Sequence, residues 1–146
     1  MVTSPRGYQL IRDMEGLTLT MKPDSKGRTA IGYGHDLILL ERYPEGITKE
    51  FAEVLIKADV THCEVVLNYA LNKEKVLMCT QNQFDALIDF TYECGPGALA
   101  QLLAHGWEQI VHQLPRWIHT HDEHGNLKTL PGMIERRALE IKLFEA

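Results

Sequence analysis

Two carboxylates are placed where they could share one reaction. Glu15 closes a short run with apolar residues at Leu10, Ile11 and Met14, a helical spacing. Asp24 stands nine positions on, inside Pro23-Asp24-Ser25-Lys26-Gly27, which is turn chemistry. An acid that protonates a leaving oxygen, with a carboxylate that activates water or attacks carbon, is the pair glycoside hydrolysis commonly uses. The acid must keep its proton near neutral pH, so its proton affinity has to be raised. The partial negative charge at a helix C-terminus acts on Glu15 in that direction, and Met14 and Leu17 offer apolar surroundings. Spacing alone does not select this chemistry, because most carboxylates are solvated surface charges.

The elements needed to hold these groups can be read around them. Tyr8 to Glu15 reads as a helix stopped by Gly16. Leu17, Leu19 and Met21 alternate with Thr18 and Thr20, a half-buried strand. Arg28 to Tyr33 is a second strand, so Asp24 falls in the turn of a hairpin. Thr48 can cap a helix with Phe51, Val54, Leu55, Ala58, Val65, Val66 and Tyr69 at helical spacing. Thr80 to Gln83 is a capping box ahead of Phe84, Leu87, Ile88 and Thr91, and Gly95-Pro96-Gly97 breaks that helix. A further helix is expected from about Gln109 to His119, then a polar loop from His121 to Gly132 and a last helix from Met133 to Phe144. The fold class is α+β: a small lobe with the hairpin over about 8–47, a larger helical lobe over 48–146, and a cleft between them suited to a polymer.

Composition narrows the partners. A chain of 146 residues that is 45% hydrophobic suits one domain, 1–146, with a real core. The net charge of −5 speaks against nucleic acid, which wants a basic surface. The longest apolar run, Leu37 to Leu40, is far short of a membrane span, so no membrane insertion is expected. Met1 to Gly7 has no apolar core of a secretory leader, so synthesis in a cytoplasm is expected. Cys63, Cys79 and Cys94 form no CxxC pair and read as free thiols. His119, His121 and His124 form a His-x-His-x-x-His run in a polar stretch and read as solvated side chains, so no metal and no cofactor is expected.

The segment Glu15-Gly16-Leu17, Asp24, then Ile31-Gly32-Tyr33-Gly34-His35 resembles the catalytic segment of phage-type lysozymes (endolysins, glycoside hydrolase family 24). Gly46-Ile47-Thr48 with Ala58-Asp59-Val60 is similar to the family's next segment. Gln81 to Leu87 with Gly95 to Ala98 resembles its central helix and turn. Pro115-Arg116-Trp117 and Leu130 to Met133 before Arg136-Arg137 resemble its C-terminal part, so the match covers roughly 8–144. The resemblance implies a lysozyme-like fold. It also implies a muramidase acting on peptidoglycan glycan strands at the β-1,4 bond between N-acetylmuramic acid and N-acetylglucosamine. Glu15 is then the general acid and Asp24 the base or nucleophile. A monomer is implied, made in the host cytoplasm and reaching the periplasmic wall through a holin-type factor.

One position departs from the pattern. The family has a threonine directly before Ile-Gly-Tyr-Gly-His that helps hold the attacking water; here that position is Ala30, and the threonine is Thr29. Neighbouring residues of a strand face opposite sides. Thr29 therefore replaces the missing hydroxyl only if a bulge or equivalent adjustment turns it inward, which Gly27 makes feasible. The sequence favours such an adjustment, because the rest of the active segment is intact. The family's arrangement makes His35 a structural histidine paired with Asp59. Arg136 and Arg137 are expected at the helix surface or in ion pairs, and Trp107 and Trp117 as core anchors. No pattern singles out substrate contacts. Three rival functions remain: a decayed or toxin-like peptidoglycan-binding protein, a lytic transglycosylase needing only one acid, and a plain helical interaction domain.

Overall fold

The structure is a computed structural model that describes residues 1–23, 29–37, 41–121 and 124–146. Asp24, Gly27 and the hairpin turn around them lie outside the described residues.

Helix α1 (Pro5–Glu15) starts three residues earlier than its apolar spacing indicates. Ser4 is its cap, accepting from the N–H groups of Arg6 and Gly7, and Pro5 sits where no N–H is needed. The same Ser4 donates to the Asp85 carboxylate, tying this end of α1 to a distant helix. Gly16, at φ 67°, ends α1 with its N–H on the Arg12 carbonyl.

Strands β1 (Thr18–Pro23), β2 (Thr29–Gly32) and β3 (His35–Asp36) form an antiparallel sheet in that order. The two-residue β3 is too short for any hydrophobic period to announce it. Thr18 pairs with Gly32 but Lys22 with Ala30, so Leu19, Thr20 and Met21 on β1 span the length of Ile31 alone. The irregularity sits on β1 and not on β2, where the sequence favours a bulge at Thr29: β2 pairs regularly with β3 through Ala30–Asp36 and Ile31–His35. At the irregularity the Leu19 carbonyl accepts from the Ile47 N–H at 2.8 Å, fastening the approach to the next helix.

Helix α2 (Lys49–Lys73) is capped by Thr48, which accepts from the Phe51 N–H. It buries Ala52, Leu55, Ile56, Val60, Cys63, Leu67 and Leu71. Phe51, Val54, Val65 and Tyr69, which the spacing grouped with the core, are 40 to 71% exposed. The helix carries apolar residues on more than one face, and packing against α3 and β2 selects which face is buried. Helix α3 (Gln81–Ala104) has the expected capping box at Thr80 and Gln83 and breaks at Gly95, φ 80° and ψ 174°. It is the central element, with α1, α2 and the last helix all packed against it.

The region after α3 differs from the expected single helix. A 3₁₀ turn (Trp107–Gln109), the short α4 (Ile110–Gln113) and a second 3₁₀ turn (Leu114–Arg116) follow one another. Pro115 has no N–H to continue the ladder. The segment read as a polar loop forms a hairpin, β4 (His119–His121) with β5 (Leu127–Thr129), whose β5 residues are exposed. Its alternation carries no apolar face for a pattern to detect. Helix α5 (Pro131–Phe144) opens on Pro131, two residues before the expected start. Trp117 meets Phe90 edge-on at 5.5 Å and Trp107 packs on Phe144, so both tryptophans anchor the core. The three cysteines are free.

Candidate active site

Glu15 is the last residue of α1, and three other elements close on its carboxyl. From α5, the Arg136 Nη1 donates to Oε1 at 2.6 Å. From the loop between β2 and β3, Gly34 presents bare backbone: a Cβ there would stand 2.6 Å from Glu15 Oε2, and its φ of 77° is one that other residues rarely adopt. From α3, Glu93 and Asp89 approach through the same arginine. The Glu15 side chain is only 16% exposed.

Burial dominates the electrostatics of Glu15. Desolvation raises its pKa above the ordinary carboxylate value, Arg136 opposes this, and the charges of Glu93 and Asp89 add to the rise. Its place at a helix C-terminus acts the same way. The net effect favours the protonated form of Glu15, with a guanidinium beside it that would hold the carboxylate form.

Arg136 is itself fixed from behind. Its Nε and Nη2 donate to the two oxygens of Asp89 at 2.9 Å each, a fork-to-fork pair, and its Nη1 also reaches Glu93 at 3.1 Å. Arg136 and Asp89 are both essentially buried. The sequence reading placed Arg136 in a surface or ion-pair role and did not connect it to Glu15. The signal was present: Asp89 and Glu93, four residues apart, interrupt the apolar stretch from Phe84 to Thr91 and its continuation. Arg136 and Glu140 repeat that spacing on α5.

A second cluster holds the hairpin. His35 Nδ1 is 2.8 Å from Asp59 Oδ2 and its Nε2 is 3.1 Å from Glu41 Oε2. The Asp59 hydrogen bond leads in pushing the His35 pKa up to about 9, against the opposing effect of burial. The imidazole is therefore cationic at neutral pH, bonded on both nitrogens and occupied as a structural pin, with Asp59 as its partner. Tyr92 of α3 donates to the Tyr33 carbonyl at 2.7 Å, and Tyr33 donates to Glu53, which Arg12 of α1 grips through two nitrogens. These bonds bind α1, the sheet, α2 and α3 around Glu15.

Thr29 is exposed and lines a surface cavity with Met21, Asp36, Leu37 and Arg42. Among the described residues no group of histidine, cysteine, aspartate or glutamate could hold a metal ion. Nor is any described helix long and apolar enough to cross a membrane.

The phage lysozyme family profile matches residues 12–140. The endolysin of Acyrthosiphon pisum secondary endosymbiont phage 1 is 30% identical, over 98% of this chain and 97% of that protein. The endolysin of Bacillus phage PZA is 35% identical over the whole chain, which spans 56% of that longer protein. Among solved structures, the muramidase domain of SpmX from Asticaccaulis excentricus superposes with a TM-score of 0.81 at 31% identity, covering 98% of this chain and 97% of that one. The endolysin from Escherichia coli O157:H7 phage FAHEc1 gives 0.83 at 29% identity, covering 99% and 93%. The chain belongs to the phage lysozyme family.

Proposed function

We propose that Glu15 is the general acid and Asp24 its partner carboxylate in the cleavage of peptidoglycan glycan strands. The chain is a peptidoglycan muramidase, a glycoside hydrolase of the lysozyme class. The observation that carries the acid assignment is a buried Glu15, its proton affinity raised by burial, held by Arg136 against the bare backbone of Gly34. Protonated Glu15 delivers its proton to the glycosidic oxygen as the bond to carbon breaks. The new carboxylate is then met by Arg136 without any rearrangement, a preorganised charge of the kind that lowers barriers most. Asp24 activates the attacking water or attacks carbon itself. Among the described residues β2 carries no bulge of its own, so Thr29 takes the place of the threonine missing at Ala30 only by way of the irregularity on the facing strand β1.

The finer parts of the reading rest on the relatives being phage endolysins. They are a single catalytic domain over 1–146, a monomeric enzyme, and delivery from the host cytoplasm to the periplasmic wall by a holin-type factor. A lyase would need only the acid. Mass spectrometry of digested wall separates the two chemistries. Hydrolysis leaves muramic acid ends that have gained water, and this is the expected product. Anhydro-muramoyl ends would replace the two-carboxylate hydrolase with a transglycosylase.

A further inference from the structure

Behind Arg136 the buried charge does not stop. Glu140, one turn further along α5, is fully buried, as is Asp89. Its Oε1 accepts from Arg137 Nη2 at 2.6 Å, while among the described residues its Oε2 receives no donor and Arg137 Nε finds no acceptor. Asp89, both of whose oxygens are already engaged by Arg136, raises the proton affinity of Glu140 both as a charge and as a hydrogen-bond acceptor. Two ionised carboxylates in that contact would repel each other out of water. A proton on Glu140 converts the clash into a hydrogen bond to Asp89 and satisfies the stranded oxygen.

The charge count points the same way. The groups facing this cluster are Glu15 from α1, Asp89, Glu93 and Cys94 from α3, and Arg136, Arg137 and Glu140 from α5. Burial holds the Cys94 thiol in its neutral form. Two arginines then face Glu93 and the Asp89–Glu140 pair. With one proton on the pair and one on Glu15, the buried set is neutral; with both pair members ionised, it carries an excess negative charge. Burial also raises the proton affinity of Glu140, against the pull of Arg137.

We propose that Glu140 keeps its proton and donates it in a hydrogen bond to Asp89, a positioning pair that holds Arg136 in register with Glu15 and balances the charge that Glu15 feels. This rests on the reading of Glu15 as the acid. Neither Asp89 nor Glu140 touches substrate; both act through Arg136.

The test combines a spectrum with two pH–rate profiles on purified peptidoglycan. In an E15Q background, infrared difference spectra at pH 7 should show a protonated carboxyl band that Glu140→Gln removes. With Glu15 intact, Glu140→Gln should leave the alkaline limb of the profile in place and activity within about twofold, because a neutral amide donates to Asp89 and accepts from Arg137 as a protonated carboxyl does. The paired change Arg137→Met with Glu140→Leu avoids stranding a buried charge. It leaves Asp89 and Glu93 against Arg136 alone, so the alkaline limb should move to higher pH and the rate should fall. If Glu140 is instead ionised, Glu140→Gln moves the limb to lower pH, the paired variant leaves it where it was, and no Glu140-dependent band is seen. Any of these results overturns the proposal. Full activity of E15Q itself would instead refute the underlying assignment of the acid, and the spectrum would still report on the pair.

Discussion

The Arg136 cluster and the His35 cluster meet the chain at adjacent residues, Gly34 and His35, yet burial gives them different tasks. Around Arg136 the charges are nearly sealed from water, and desolvation is strong enough to raise the Glu15 pKa despite an arginine at 2.6 Å. Around His35 the partners Asp59 and Glu41 are more than a quarter exposed, and attraction wins over burial, so the imidazole stays charged. The deep cluster raises the proton affinity of Glu15, as the proposed acid requires. The shallow one keeps a proton to hold a sheet against α2. Depth, rather than the inventory of charged groups, separates chemistry from fastening.

The deepest part of this contrast is the most costly to break. Arg136→Met should destabilise the fold by about 3–5 kcal/mol, because it leaves Asp89 as a buried carboxylate without its guanidinium. Urea unfolding measures this. A loss below about 1 kcal/mol would mean that the cluster is wetter than its burial indicates.

On the catalytic side, Asp24→Asn should reduce hydrolysis by roughly 10²–10³-fold, or about 2.7–4 kcal/mol, with the fold retained. Near-normal rates with anhydro products would leave Glu15 as the only carboxylate used.

Thr29 gives a smaller effect. If it holds the water, Thr29→Ala should slow turnover by ~10–100-fold, roughly 1.4–2.7 kcal/mol for one positioning hydrogen bond, and Ala30→Thr should add little. A silent Thr29→Ala together with a faster Ala30→Thr would assign the task to position 30 instead.

The shallow cluster gives the smallest and most pH-dependent effect. His35 has a folded-state pKa of about 9, above the unfolded value of about 6.5. Its stabilisation is therefore complete below about pH 6.5 and is lost as pH rises through about 9. With both partners partly screened by water, His35→Asn should cost about 1–2 kcal/mol at pH 6. The difference from the wild-type chain should close toward pH 10. A gap that is constant with pH would mean that His35 packs rather than pairs.

The same contrast explains what the sequence made legible. Glu15 and its helix end, the Thr48 and Thr80 caps, the Gly95 break and the His35–Asp59 pair were readable because each rests on a local pattern or a family motif. The buried face of α2 was not, since Phe51, Val54, Val65 and Tyr69 are as apolar as the residues that α3 and β2 actually cover. The β4–β5 hairpin has no apolar side to betray it. Arg136, Asp89 and Glu140 escaped because their meaning lies in contacts across 47 positions of chain or more, or in the burial that those contacts create. Charges that look solvated in a sequence become the core of the site once three helices close over them.

The acid itself is the central claim, and Glu15→Gln tests it most directly. The amide fits the same space and still accepts from Arg136, so the purified variant should fold and melt as the wild-type chain does. It cannot release a proton to the glycosidic oxygen, and its rate on purified peptidoglycan should fall by at least ~10²–10⁴-fold, the usual worth of a general acid. A folded Glu15→Gln variant that hydrolyses peptidoglycan at the wild-type rate would contradict the account.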